Sequence, residues 1–182
     1  MTTRQRPWPR AWLMTDKRMG EEIWSAIDRL PAGSGIVFRH HATLPVARAK
    51  LAERIAGICH RQSLTLAVAG DPSLARSVGA DLVHNPSRSS ELPFSRSIHS
   101  MGEAEAAKAE GAALVFVSPV FVTRSHPERK PLGVAKASAI VRAAGVPAIA
   151  LGGMTALKFT QLEREGFYGW AGIDAWLGEE GA

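Results

Sequence analysis

"AKAEGAALVFV", residues 107–117, runs a helix end, a glycine stop and a short apolar strand into eleven residues. The unit recurs as "LARSVGADLVH" (74–84), "IVRAAGVPAIAL" (140–151) and "LEREGFYGWAG" (162–172), with stop glycines at Gly79, Gly111, Gly145 and Gly166. A glycine just past a helix adopts the left-handed conformation without steric cost and so ends the helix. The continuous apolar run that follows suits a strand buried on both faces, as parallel strands are. Extended over the chain, the pattern places strands near 11–15, 35–38, 64–68, 81–83, 95–98, 113–118, 147–151 and 168–170, with helices between most of them.

Local signals mark the helix starts. Asp71-Pro72 sets a capping carboxylate before a proline suited to the first helical position. Ser100 to Glu103 has capping-box spacing. Val134, Ala137, Ile140, Val141 and Ala144 fall on one helical face. The link from the fourth to the fifth strand, "NPSRSSELPF" (85–94), is too short and too rich in Ser and Pro for a helix. The expectation is an α/β fold, a trimmed (β/α)8 TIM barrel lacking that helix. An open doubly wound sheet is the alternative, but the turn after the first strand, "LMTDKRMG", is not the Gly-rich one that fold carries more often.

Composition bounds the rest. The 182 residues suit one domain, expected over 11–182, after a basic, flexible tail at 1–10. With 46% hydrophobic and 21% charged residues, this is an ordinary globular chain. No apolar run reaches the ~18 residues of a membrane span, and no signal-peptide core follows the basic start, so a cytoplasmic location is expected. A single cysteine, Cys59, excludes an intrachain disulfide. The net charge of +5 raises the question of nucleic acid. Lys and Arg are scattered, however, with no recognisable binding motif, so an anionic small molecule is the expected partner and nucleic acid is not. A homo-oligomer stays open.

In such a barrel, ligands bind at the carboxyl ends of the strands. Those ends are Thr15-Asp16, Arg39-His40-His41, Ala69-Gly70-Asp71, His99-Ser100, then Thr123, Ser125 and His126, then Gly152-Gly153, and finally "GWAGID". Gly152 and Gly153, with Ala171 and Gly172 opening the last helix, sit where barrels commonly hold a phosphate. The plainer reading of the glycine pair is a tight turn. Arg39 would complete the anion contacts, unless it is spent in a salt bridge. His99 is the candidate for acid–base work, because histidine titrates near neutral pH; the alternative is a structural histidine bonded to backbone. Of His40 and His41 at most one faces the barrel centre, since strand neighbours point to opposite sides. No HxH or HExxH spacing favours a metal site.

"SIHSMGEAEAAKAEGAALVFVSPVFVTRSHPERKPLG" followed by "VPAIALGGM" closely resembles the thiamine phosphate synthase/TenI superfamily of (β/α)8 proteins of thiamine biosynthesis. The resemblance covers roughly residues 11–177. It implies a phosphorylated small-molecule ligand and leaves three readings. The synthases join hydroxymethylpyrimidine diphosphate to thiazole phosphate, releasing pyrophosphate with magnesium on the diphosphate. Arg39 matches the diphosphate-binding Arg of their "QFREK"-like motif, whereas Val37 and His41 replace its glutamine and lysine. Their "NDD"-like motif reads Ala69-Gly70-Asp71 here, and a second metal-binding Asp corresponds to Glu91 across a shortened loop. Thr123 and Ser125 keep the hydroxyls of a "T-T-K"-like motif, with His126 in place of its lysine. Magnesium, on Asp71 and Glu91, is therefore implied only for a synthase. The TenI-like thiazole tautomerases need no metal or other cofactor and isomerise a thiazole carboxylate phosphate by proton transfer. The histidine of their "S-HS" motif matches His99. The resemblance thus favours a TenI-like proton-transfer enzyme, then a divergent synthase, then a non-catalytic phosphate-ligand binder or regulator.

Overall fold

A computed structural model of the chain describes residues 7–125 and 128–178. Eight strands alternate with helices in the order β1 (Ala11–Met14), α1 (Glu22–Asp28), β2 (Gly35–Phe38), α2 (Pro45–Gln62), β3 (Thr65–Ala69), α3 (Pro72–Ser77), β4 (Leu82–His84), β5 (Phe94–Ile98), α4 (Met101–Ala109), β6 (Leu114–Val117), α5 (Val134–Ala144), β7 (Ala148–Leu151), α6 (Ala156–Leu162) and β8 (Gly169–Gly172). All neighbours pair in parallel, and β8 pairs with β1 to close the barrel. The four stop glycines have φ of +67°, +78°, +62° and +91°. Asp71 accepts from the Ser73 and Leu74 amides and Ser100 from the Glu103 amide, so both caps form as the local sequence dictates. No helix joins β4 to β5.

Strand alternation sorts the side chains into two cores. Trp12, Met14, Val37, Ala67, Ala69, Leu82, Leu114, Phe116, Ile149 and Ala171 fill the barrel interior. Their sequence neighbours Leu13, Ile36, Phe38, Val68, Val83, Val115 and Ala150 face the helices. Trp12 meets Phe116 edge-on at 5.6 Å. Its ring lies where a Cβ on Gly35 would come within 2.3 Å, so only glycine fits at that position. Cys59 is buried on α2, where burial, with the Asp81 charge adding, pushes its thiol up to about 12.

Two features differ from expectation. Part of the expected tail is built into the barrel's lower end. The Arg10 carbonyl accepts from the Trp170 amide, the Pro9 carbonyl from the Trp12 indole at 2.7 Å, and the Trp8 carbonyl from the Tyr168 hydroxyl. These bonds close the end opposite the strand carboxyl termini. Residues 1–6 lie outside the described residues. The expected last helix is only a single 3-10 turn, Asp174–Trp176, so Ala171 and Gly172 end a strand and open no helix. No helix among the described residues is long and apolar enough to cross a membrane.

Candidate active site

The carboxyl ends of the strands surround a cavity of about 660 Å³. Every strand end after β1 contributes to its wall: Arg39 and His41 follow β2, Gly70 follows β3, Asn85 follows β4, His99 follows β5, Ser118 follows β6, Gly152-Gly153 follow β7 and Ile173 follows β8.

His99 lies in this wall. Its Nδ1 is 2.6 Å from the Ser118 carbonyl oxygen, which can only accept. Nδ1 therefore carries the proton in the neutral ring, and Nε2 keeps its lone pair. The His99 backbone amide donates to the Glu103 carboxylate, which fastens the ring's base to the first turn of α4. Ser95, Ser97 and His99 share the inward face of β5, since strand side chains alternate. Beneath them is His84, 3% exposed, with Nδ1 3.0 Å from Ser95 Oγ and Nε2 3.1 Å from Ser97 Oγ. Burial, reinforced by the charges of Arg39, His41 and Arg96, pushes His84 down to about 3, so it is neutral at physiological pH.

Among the described residues, cations dominate the rest of the wall: Arg39, Arg124 and Arg129 face it, against one carboxylate, Asp174, which pairs with Arg124 at 3.3 Å. Arg39 is partly committed. Its Nε donates to the Thr15 carbonyl at 2.8 Å and its Nη2 to Asp16 at 3.1 Å, so the salt bridge forms while the residue also lines the cavity. Burial would raise the Asp16 carboxyl, but hydrogen bonds from Arg18 and the charges of Arg39 and Arg18 outweigh it and hold the carboxyl low. Arg48 donates to the carbonyls of Arg39 and Ala69 and so ties the ends of β2 and β3 together. His41 faces the cavity over Gly70 and His40 turns away, stacked on Phe38, as alternation requires. Burial, with Arg48 and Arg39 adding, holds His41 below the usual imidazole range. Thr123 and Ser125 both reach the cavity, and Ser125 Oγ accepts from Arg18 across the mouth at 3.4 Å. His126 lies outside the described residues.

The glycine pair has a structural reason as well as a place in the wall. A Cβ on Gly152 would lie 2.7 Å from Pro119, and one on Gly153 only 2.2 Å from the Val122 carbonyl oxygen. Both glycines let the loop after β7 press against the loop after β6, a packing reason for the pair that stands beside its place in the wall. They line the cavity with Gly172, Ile173 and Asp174. Among the described residues, the amides of Gly153, Ile173 and Asp174 donate to no other group of the chain. Ala171 is buried in the barrel interior and does not reach the cavity, a correction to its expected place. With no α-helix after β8 among the described residues, an anion placed here would meet backbone amides and arginines, not a helix dipole.

The carboxylates implied for magnesium do not converge. Asp71 is spent capping α3, and Glu91, with its side chain 85% exposed, pairs with Arg76 at 3.2 Å; neither lines the cavity. Gly70 offers no side chain. Hard Mg²⁺ needs several oxygen ligands, and this donor set does not supply them.

Sequence reasoning missed His84, Asn85, Ser97 and Ser118. A β4 boundary set one residue short hid that His84 points inward two positions after Leu82. The alternation of Ser95, Ser97 and His99 was a legible signal of a polar inner face.

Residues 13–176 match the family described as Thiamine monophosphate synthase. The "Putative thiamine-phosphate synthase 2" of Aquifex aeolicus is 30% identical over 93% of this chain and 98% of its own length. A thiamine-phosphate synthase of Synechococcus sp. is 29% identical over 73% of this chain, which spans only 41% of that protein. Among solved structures, a thiamine phosphate pyrophosphorylase from Pyrococcus furiosus superposes with a TM-score of 0.80 at 21% identity, covering 94% of this chain and 88% of its own. That last likeness shows the shared barrel.

Proposed function

This chain belongs to the thiamine monophosphate synthase family, and from that premise we propose that it acts on a phosphorylated thiazole by TenI-like proton transfer, with His99 as the acid–base group. The observation that carries this reading is the His99 imidazole in the cavity wall. Its Nδ1–H is committed to the Ser118 carbonyl, so Nε2 is the atom left to take a proton from the substrate and return it at another position. The reaction is then an isomerisation with no net gain or loss of protons. Arg39, Arg124 and Arg129, with the amides around Gly153 and Ile173, hold the phosphate. Thr123 and Ser125 add hydroxyl donors at the rim.

The test is His99→Asn, assayed with a thiazole carboxylate phosphate. Asparagine keeps a hydrogen-bonding group but exchanges no proton near neutral pH. Turnover should fall by about 10²–10⁴-fold with phosphate affinity nearly unchanged. Full turnover in the variant would end the reading.

A second reading, a divergent synthase, is favoured by the names of the relatives and by Arg39 in the wall. The positions of Asp71 and Glu91 weigh against it. Pyrophosphate release from the two precursors, measured with and without magnesium, separates the two. Robust magnesium-dependent release would favour the synthase and mean that other residues hold the metal. Retained phosphate binding with no turnover in either assay would leave a non-catalytic binder.

A further inference from the structure

The polar cluster beneath His99 closes its hydrogen-bond accounting in one way. Ser95 is fully buried, and among the described residues His84 Nδ1 is the side-chain partner of its hydroxyl, at 3.0 Å. If Nδ1 carried the proton, the Ser95 hydroxyl hydrogen would be buried without an acceptor, at a cost that native interiors avoid. Ser95 therefore donates to Nδ1, and the His84 proton sits on Nε2. That Nε2–H points at Ser97 Oγ, 3.1 Å away. Asn85 supplies a second donor. Its Oδ1 accepts from the Ser97 amide at 2.7 Å, which fixes the orientation of the side-chain amide, and its Nδ2 then lies 3.2 Å from Ser97 Oγ. Asn85 Nδ2 and His84 Nε2, 3.3 Å apart, are two donors converging on one oxygen. Both lone pairs of Ser97 Oγ are thus occupied from below, and its own hydrogen has only the cavity to point into.

We propose that His84 is a positioning residue whose Nε2–H, with Asn85, aims the Ser97 hydroxyl into the cavity as an uncharged donor to an acceptor atom of the ligand, a ring nitrogen or an oxygen, next to His99. This rests on the reading of the cavity as a phosphorylated-thiazole site and adds to it a polar contact on the ring end, away from the phosphate. The edge of Phe116 against the His84 ring, centroids 5.0 Å apart, keeps the cluster dry from below.

Two measurements on the full chain test it. The first is ¹⁵N spectroscopy of the histidine-labelled protein, with the His84 signals identified by their loss in His84→Gln. Nε2 should be protonated and Nδ1 bare, unchanged between pH 6 and 9. An Nδ1-protonated ring overturns the proposal whatever the protein catalyses. The second is calorimetry with thiazole phosphate. Ser97→Ala and His84→Phe should each weaken binding about three- to tenfold, and the double variant no more than either alone. His84→Gln, whose amide can replace the Nε2–H donor, should restore most of the affinity; a merely structural role would not show that rescue. Additive losses, or a His84→Gln as weak as His84→Phe, refute the positioning role. If the unaltered protein fails to bind thiazole phosphate, the functional reading falls, and the imidazole spectrum still decides the hydrogen-bond assignment.

Discussion

Gly153→Ala should destabilise the protein by far more than a methyl group ordinarily does. The residue has φ +62°, where an L side chain costs about 1 kcal/mol or more. Its new Cβ would lie 2.2 Å from the Val122 carbonyl oxygen. An ordinary C···O contact is about 3.3 Å, so the loop after β6 has to retreat by about 1 Å. That retreat strains the bonds holding the loop down, Val120 amide to Leu151 carbonyl at 2.9 Å and Phe121 amide to Gly152 carbonyl at 3.1 Å. Each contributes about 1 kcal/mol net. The total is about 3 kcal/mol, which for a chain of this size lowers the melting temperature by about 9 °C. Gly102→Ala is the control, because Gly102 sits in α4 with nothing within 4 Å of a new Cβ. It should gain about 0.5–1 kcal/mol. Thermal and urea melts of both variants provide the assay. A Gly153→Ala protein melting within about 2 °C of the parent would refute the claim that the two loops are locked together at this glycine.

Acid should weaken the fold through His84. Its unfolded value is 6.5 and its folded value about 3, so the unfolded chain takes up the proton first as pH falls. The stability tied to this group is full above 6.5 and lost between 6.5 and about 3. At pH 5 the loss is on the order of 2 kcal/mol. His84→Gln should flatten that part of the pH profile of urea stability while the contributions of His40 and His41, also held low, remain. Asp71→Ala should cost about 1 kcal/mol by uncapping α3 and leave any magnesium response of turnover as it was. Loss of a magnesium response at unchanged stability would return Asp71 to the metal site.

Much of the barrel is written locally. A short apolar run buried on both faces, a glycine that must turn left-handed and a capping Asp or Ser each act within a few residues, so the eight strands, the missing β4–β5 helix and the caps at Asp71 and Ser100 were legible along the chain. Strand alternation likewise separated His41 from His40. The site is a different matter, because it is assembled from strand ends far apart in sequence. No local pattern tells that Glu91 finds Arg76, that Asp16 already occupies Arg39, or that the Gly153 Cβ position faces the neighbouring loop. His84 was missed because β4 runs one residue further than expected, and its character then comes from the serines of the next strand. Local sequence sets what each segment can form, whereas the partners that remain for a polar group are decided only when the closed barrel brings its strand ends together and excludes water from between them.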